Sequence, residues 1–125
     1  MSHSYKDLIV WQRSKNLAVD VYRITEKYPK NEMYGLISQL RRASVSVVSN
    51  IAEGQGRITK GEFQQFLGHA RGSLLELETQ LAISVDLNYI STEEFSRMES
   101  HISEVRRMLN ALLESLHARG KAAGA

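Results

Sequence analysis

The chain has 125 residues, a length that fits one domain with its own core, and 42% of its residues are hydrophobic while 24% are charged. These proportions are globular and exclude a disordered or fibrous chain. The lack of cysteine excludes disulfides, thiolate nucleophiles and cysteine-based zinc sites, and a net charge of +2 is too small to mark a nucleic-acid binder by itself.

The first two predicted helices have core-facing residues at helical spacing. Pro29 should end the first helix because it lacks an amide donor. Asn31 is predicted to cap the second helix, with Glu32 near its positive end. Gly54 and Gly56 should end this helix through left-handed backbone angles. The core-facing residues are Val10, Trp11, Leu17, Ala18, Val21, Ile24 and Tyr28 in the first segment and Ile37, Leu40, Ser44, Val47 and Ile51 in the second.

The third and fourth predicted helices have hydrophobic residues that alternate spacings of three and four, which is typical of coiled-coil seams. Residues 59–62 and 91–94 match the capping box that opens a helix, and residues 87–90 form a short connection between the two segments. The seams are Phe63, Leu67, Ala70, Leu74, Leu77 and Leu81, then Phe95, Met98, Ile102, Val105, Leu109, Leu112 and Leu116.

Four amphipathic helices with short loops predict an all-α fold, an antiparallel up-and-down four-helix bundle. We expect the bundle domain to span residues 1–118 and residues 119–125 to form a flexible C-terminal tail. No apolar run approaches the roughly 20 residues that span a bilayer, and the first residues lack the apolar run of a signal peptide. The expected location is the cytoplasm, with no membrane partner.

Several apolar or small residues lie off the seams. In the third segment they form a second stripe, predicted about a quarter-turn from the seam. A helix that is apolar on more than one side usually packs on more than one side, so these residues are candidates for an oligomer interface. They are Leu36, Val45, Val48, Gly68, Gly72, Leu75 and Ala82.

No residue pattern predicts an enzyme. The histidines lie at no standard ligand spacing, and no Glu-x-x-His pair of the di-iron bundle type occurs. Gly54 and Gly56 have no preceding strand and no following Lys-Ser/Thr, which excludes a phosphate loop. We therefore expect no catalytic, cofactor or metal site and no small-molecule substrate.

The charge is distributed unevenly. Residues 1–71 hold 11 Lys/Arg against 6 Asp/Glu, whereas residues 72–116 hold 3 against 8. The basic half could present a face to an anionic partner, or the two halves could simply attract each other.

Arginine suits phosphate because its planar fork donates two hydrogen bonds together. The alternative is that the basic candidates pair with Glu53, Glu62, Glu76 or Glu78. No aromatic platform for base stacking is evident from the sequence, so base-specific recognition is not predicted. The candidate phosphate-binding residues are Arg41, Arg42, Arg57, Lys60 and Arg71.

Four motifs in order resemble the four-helix-bundle proteins encoded in intervening sequences of bacterial 23S rRNA genes. They are YKDLIVWQ at residues 5–12, YGLISQLRRA at 34–43, SNIAEG at 49–54 and GSLLELETQL at 72–81. The resemblance covers nearly the whole chain except the tail. It departs at Val48, where the family usually has a proline that would bend the second helix, so the bend is left open.

The resemblance implies an antiparallel bundle that assembles as a ring-like homopentamer. The structurally similar accessory variability determinant of diversity-generating retroelements is a pentamer whose basic channel binds nucleic acid and a reverse transcriptase. Such a relative supports function only by analogy of fold. In a ring, fivefold symmetry would repeat a basic stripe into a collar.

Two functions are therefore expected as alternatives. The first is an oligomeric accessory protein that binds nucleic acid, RNA rather than DNA, or a ribonucleoprotein. The second is a protein-interaction scaffold without nucleic-acid binding, whose apolar stripes hold a helix of a partner such as a reverse transcriptase.

Overall fold

A computed structural model describes residues 4–124 of the chain, with side chains described as far as residue 118. Four α-helices make up most of this part: α1 is Ile9–Thr25, α2 is Leu36–Gln55, α3 is Lys60–Asp86 and α4 is Thr92–Gly124. Two short 3₁₀ helices, Tyr5–Asp7 and Lys30–Glu32, precede α1 and α2. The described part of the chain contains no strand, which confirms the predicted all-α class.

The helices are antiparallel to their neighbours. Along α1 and α4 the contacts run in opposite directions, since Arg13 meets Glu104, Asp20 meets His101 and Lys27, just beyond α1, meets Glu94. The α2 and α3 helices pack in the same way, with Ser46 bonded to Ser73 near their middle and Gly54 close to Phe63 at the connected end. Each helix also contacts its neighbour in the chain, and α1 contacts α4, so the four close into a bundle.

The predicted seams form the core. All the residues assigned to the second segment are buried, as are those of the third apart from the half-buried Phe63. In α4, Phe95 and Leu112 are half-buried against the core and the other seam residues are buried. Spacing of three and four places each of these side chains on one face of its helix, and burying that face is the main source of stability.

The helix starts agree with the prediction at two of three sites. Ser91 and Glu94 form a complete capping box: the Ser91 hydroxyl accepts from the Glu94 amide at 3.0 Å, and the Glu94 carboxylate accepts from the Ser91 amide at 2.9 Å. At α3 the Thr59 hydroxyl accepts from the Glu62 amide at 3.1 Å. The predicted Asn31 cap is wrong, because residues 30–32 wind into the 3₁₀ helix and α2 begins only at Leu36.

Glu32 stabilises the start of α2 in place of Asn31. One oxygen of its carboxylate accepts from the Leu36 amide at 3.2 Å, and the other accepts from the Tyr89 hydroxyl at 2.8 Å. This hydrogen bond to Glu32 is the main reason that the pKa of Tyr89 is raised above its usual value. The carboxylate therefore joins the α1–α2 and α3–α4 connections at one end of the bundle.

The glycines at the end of α2 do not adopt the left-handed backbone conformation that the sequence predicted. Gly56 has φ −82°, and among the described residues the positive φ belongs to Asn88, at 62°, where α3 turns toward α4. Gly54 serves packing instead. A Cβ atom there would lie 2.9 Å from Phe63 Cδ1 and from Phe66 Cβ, so glycine lets α2 and α3 approach closely.

The predicted C-terminal tail, residues 119–125, lies beyond the last side chain that the structure describes. The backbone of α4 continues to Gly124, while nothing is described of the side chains from residue 119 on. The flexible tail at 119–125 stays a prediction. Along α2, helical structure continues through Val48 without interruption. No helix in the described part is long and apolar enough to cross a membrane.

Candidate nucleic-acid interface

The five basic candidates do not form one cluster. Arg41 and Arg42 lie in the first third of α2, whereas Arg57 and Lys60 lie beyond its other end. At 1.5 Å rise per residue, the helix separates these two pairs by about 20 Å. Arg71 lies in the middle of α3 and bonds to α4. The five candidates thus form two separate basic sites, and Arg71 belongs to neither of them.

Arg41 bridges α1 and α2. Its Nε donates to the Thr25 hydroxyl at 3.0 Å and one terminal nitrogen donates to the Tyr22 carbonyl oxygen at 3.4 Å. Its guanidinium carbon lies 4.7 Å from the centre of the Tyr22 ring, a cation–π distance. Arg41 therefore supports the packing of the protomer while keeping a positive charge, half-buried, at the surface.

Arg42 is exposed beside it. The guanidinium donates to the Gln39 side-chain oxygen at 2.6 Å and makes no ion pair within the described chain. Both arginines line a cleft of about 390 Å³ that also contains Tyr22 and Tyr34. Tyr34 is 96% exposed.

The two tyrosines could not be connected with the arginines from the sequence. Tyr22 and Arg41 are 19 positions apart, on different helices, and only the antiparallel packing of α1 on α2 brings them together. Tyr34 could be read as an ordinary residue at the start of α2. The expectation that no aromatic platform accompanies the arginines did not take these two tyrosines into account.

Arg57 and Lys60 form the second basic site, on the α2–α3 connection and the first turn of α3. Both are exposed, and the Arg57 guanidinium carbon lies 4.5 Å from the centre of the Phe66 ring. Arg71 donates to the Asn110 side-chain oxygen at 3.0 Å and lines a depression with His117 and Glu114. It faces α4 and is away from both basic sites.

The ion pairs of the described residues do not include any of the five candidates. Arg13 lies 3.6 Å from Glu104 and Lys27 pairs with Glu94, so α1 and the residues after it neutralise α4. The hydrogen bond from Lys27 is the main cause, with the Ser91 amide second, of the lowered pKa of Glu94. Ion pairs between the basic and acidic halves of the chain therefore form between α1 and α4. The basic residues of α2 and of the α2–α3 connection have no such acidic partner in the described part of the chain.

Among the predicted partners of the candidates, Glu78 bonds Arg106 of α4 at 3.3 Å. Glu53, Glu62 and Glu76 appear in no ion pair of the described chain. The alternative in which these glutamates neutralise the five basic residues therefore fails in the protomer.

An apolar groove runs between α1 and α2 and shares Tyr22 with the cleft. Ala18, Val19 and Tyr22 line it from α1, and Val45 and Val48 line it from α2. Val19 and Val45 are about two-fifths exposed, at 41% and 42%. Of the predicted interface residues on α2, Val45 and Val48 thus lie at an open surface, whereas Leu36 packs against the core of the protomer.

The predicted interface residues of α3 face solvent. Gly72, Leu75 and Ala82 are exposed and Gly68 is half-buried, and a Cβ at either glycine would meet nothing within 4 Å. At about 3.6 residues per turn these residues lie about 100° to 180° around α3 from the centre of the buried seam, so the predicted quarter-turn is too small for most of them. Leu75 is 50% exposed beside the fully buried Leu74.

Within the described residues no group of three or more His, Asp and Glu side chains is placed to hold a metal ion. Polar side chains of the basic sites are arginine, lysine, tyrosine and serine. Their chemistry is that of anion binding and ring stacking.

Comparison with known proteins agrees with this architecture. No curated protein matches the chain. A crystal structure of a protein with unknown function from the S23 ribosomal protein family of Bacteroides thetaiotaomicron VPI-5482 is similar, with a TM-score of 0.76 and 20% identity over 84% of this chain and 98% of that chain. At that identity the likeness concerns the fold. The family model for 23S rRNA-intervening sequence proteins matches residues 6–111, and the chain therefore belongs to this family.

Proposed function

We propose that this protein is a non-enzymatic homo-oligomer, a homopentamer, that binds RNA or a ribonucleoprotein as an accessory factor in the cytoplasm. The observation that carries the proposal is the grouping of basic residues without ion pairs in the described protomer at the two ends of α2: Arg41 and Arg42 at one end, Arg57 and Lys60 at the other. Unpaired surface cations are available to phosphate, whereas those of the α1–α4 contact are not.

Assembly strengthens this charge. A closed ring of five copies repeats each basic site five times around one axis, which raises the local potential well above that of one chain with net charge +2. The open α1–α2 groove and the exposed stripe of α3 supply apolar surface for contacts between copies. Both faces are candidates for these contacts.

Nucleic-acid binding is tested by salt titration with a structured RNA fragment. The logarithm of affinity should fall linearly with the logarithm of salt concentration, because each phosphate contact releases counterions. Arg42→Glu and Arg57→Glu should each weaken binding and reduce the slope, by about 1 for each phosphate that the complex no longer neutralises. These residues are better probes than Arg41, whose bonds to Thr25 and Tyr22 support the packing of α1 on α2.

The matched control is Arg107→Glu, which makes the same charge change on α4, where Arg107 bonds Ser103 of its own helix. It should leave affinity and slope nearly unchanged. Equal losses in all three variants would mean that net charge alone matters, and no binding of the unmodified protein at low salt would reject the nucleic-acid function.

Assembly is tested by the mass of the protein in solution. Val45→Glu places a charge in the apolar groove and should shift the oligomer toward monomer, since a buried unpaired charge opposes association. Ser96→Glu adds the same charge at an exposed site of α4 and should leave the mass unchanged. A strictly monomeric unmodified protein would contradict the oligomer.

The groove also favours a second candidate function, a scaffold that holds a partner protein. Val19 and Val45, both partly exposed, offer an apolar surface of the kind that accepts an amphipathic helix, for example one from a reverse transcriptase. Under this function Val45→Glu would abolish partner binding without changing the oligomeric mass, and Arg42→Glu would have little effect. The two functions are separated by which of these variants loses its ligand.

A further inference from the structure

The cleft at the start of α2 combines two arginines with exposed aromatic and apolar side chains. It lies between the end of α1 and the beginning of α2. Its lining residues are Tyr22, Met33, Tyr34, Ile37, Ser38, Arg41 and Arg42. Tyr34 and Met33 are 96% and 47% exposed, so the protomer leaves this part of the cleft uncovered.

The charge of the cleft favours an anionic ligand. None of its lining residues is acidic. Glu32 is the acidic residue nearest to Tyr34 in sequence, and both of its carboxylate oxygens are occupied, one by the Leu36 amide and one by the Tyr89 hydroxyl. Arg41 and Arg42 are thus the charged residues of the cleft lining.

The rings add a second kind of recognition. The Arg41 guanidinium already stacks on Tyr22, which holds a planar cation in place at the wall of the cleft. Tyr34 lines the same cleft and is almost fully exposed. Proteins that bind unpaired nucleotides combine aromatic rings or arginine planes, on which bases stack, with cations that contact the backbone.

We infer that this cleft binds an unpaired nucleotide of a single strand, with its base stacked on Tyr34 and its phosphate contacted by Arg42. The inference rests on the proposed nucleic-acid binding and specifies its ligand. A duplex cannot use the cleft in this way because its bases are stacked on each other and their faces are covered. At the other end of α2, Arg57, which lies over the half-buried Phe66 ring, and Lys60 are expected to contact phosphates of paired and unpaired RNA alike.

The test compares three fluorescein-labelled 12-nucleotide probes: a single-stranded RNA, the same strand in an RNA duplex, and a single-stranded DNA of the same sequence. Affinity is measured for the full-length protein and for Tyr34→Ala, Tyr34→Phe and the control Ile58→Ala. Ile58 is 98% exposed and lies near Arg57 rather than in the cleft. Since Tyr34 is almost fully exposed, its replacement leaves the core intact.

Tyr34→Ala should weaken single-stranded RNA binding about tenfold, the size of one stacked base, and leave duplex binding unchanged. Tyr34→Phe keeps the ring and should retain affinity, and Ile58→Ala should behave like the unmodified protein. A matching loss with single-stranded DNA would show that base and phosphate suffice, and a loss with RNA alone would add the ribose hydroxyl to the recognised groups.

Two results would overturn the inference while leaving nucleic-acid binding standing. One is equal single-strand affinity with and without the Tyr34 ring. The other is a parallel loss on single strands and duplex together with a lower oligomeric mass, which would mean that a second copy covers the cleft. Failure of every probe to bind would reject the proposed function as well.

Discussion

The two sides of α1 differ in how far the rest of the chain pairs with them or covers them. On the side facing α4, which we name the closed side, Asp20, Lys27, Glu94 and His101 pair across the helices. On the side facing α2, which we name the open side, Ala18, Val19, Tyr22, Val45 and Val48 line a groove that nothing in the protomer covers. The side of α1 that faces α4 is thus joined to it by ion pairs, whereas the side that faces α2 borders an apolar groove.

A net charge of only +2 therefore conceals an uneven distribution of paired and unpaired charges. Carboxylates of α4 pair with Arg13 of α1 and with Lys27, whereas the arginines of α2 and the basic residues of the α2–α3 connection make no ion pair in the described chain. Apolar exposure and unpaired cations then meet at Tyr22, which belongs both to the groove and to the cleft. Buried and exposed residues, and packed and free side chains, also lie next to each other elsewhere in the structure. Matched pairs of variants can therefore be compared.

The largest effect is expected at neighbouring leucines of α3. Leu74→Ala should lower the free energy of unfolding by about 2–5 kcal/mol, because Leu74 is fully buried and its removal leaves a cavity. Leu75→Ala, at a 50% exposed position, should cost under about 1 kcal/mol. Urea denaturation at one protein concentration measures both. Similar losses in the two variants would mean that Leu75 is covered in the assembly and the contrast holds only for the isolated protomer.

A second matched pair uses glycines. Gly54→Ala should destabilise the protein by about 1–3 kcal/mol, because the new methyl group would overlap Phe63 and Phe66. Gly72→Ala meets no atom within 4 Å and should stabilise the helix by about 0.5–1 kcal/mol. Thermal denaturation reports both signs. If Gly72→Ala instead lowers the melting temperature and the oligomeric mass, another copy packs closely on the outer side of α3.

The third test concerns the two adjacent arginines. Arg41→Ala removes two hydrogen bonds between α2 and α1 and the stack on Tyr22, and should cost about 1–2 kcal/mol. Arg42→Ala loses only a bond to Gln39 on its own helix and should change stability by less than about 0.5 kcal/mol. Chemical denaturation separates them, and equal losses would refute the division into a packing arginine and a free one.

The smallest effect is expected on the closed side. Lys27→Met removes the partner of Glu94 and should cost under about 1 kcal/mol, the usual limit for an ion pair near the surface. The pKa of Glu94 is lowered from its ordinary 4.5, chiefly by Lys27. Because the folded pKa is depressed, the stabilisation is complete above that ordinary value and is lost as pH falls through the folded one.

The same pair predicts a pH signature. Melting temperatures followed from about pH 6 to about pH 3 should fall less steeply for Lys27→Met than for the unmodified protein, because the variant has less of this stabilisation to lose. Lys30→Met, at an exposed lysine three residues further along the same connection, is the control and should retain the steeper fall. Identical pH curves for all three proteins would show that Lys27 does not hold the Glu94 carboxylate.

The sequence predicted what depends on local spacing. Seams such as Leu74 and Leu77 followed from intervals of three and four, and the cap at Ser91 from a residue three positions on. The Asn31 cap failed because the Glu32 carboxylate, which also bonds Tyr89 from 57 positions away, stabilises a later helix start. Gly54 was read as a turn former because its neighbours in α3 could not be known.

The candidate site was predicted only in part for the same reason. Arginines at 41 and 42 are visible in the sequence as a basic pair, but their division of roles depends on Thr25 and Tyr22 of another helix. Whether Glu78 meets Arg106 or a candidate residue likewise depends on packing. Counting charges along the sequence showed that basic residues dominate the first part of the chain and acidic residues the second. The count could not show which basic residues remain without an acidic partner.

The tight turn before α2 determines how much conformational entropy the protein would lose when a ligand binds to Tyr34. Amides of residues 32, 33 and 35 each donate to a carbonyl three positions earlier, and the Glu32 carboxylate ties the turn to Leu36 and Tyr89. The backbone that carries Tyr34 is thus ordered before any ligand binds. Binding there would freeze a ring with two rotatable bonds rather than a loop, so little conformational freedom is left to lose.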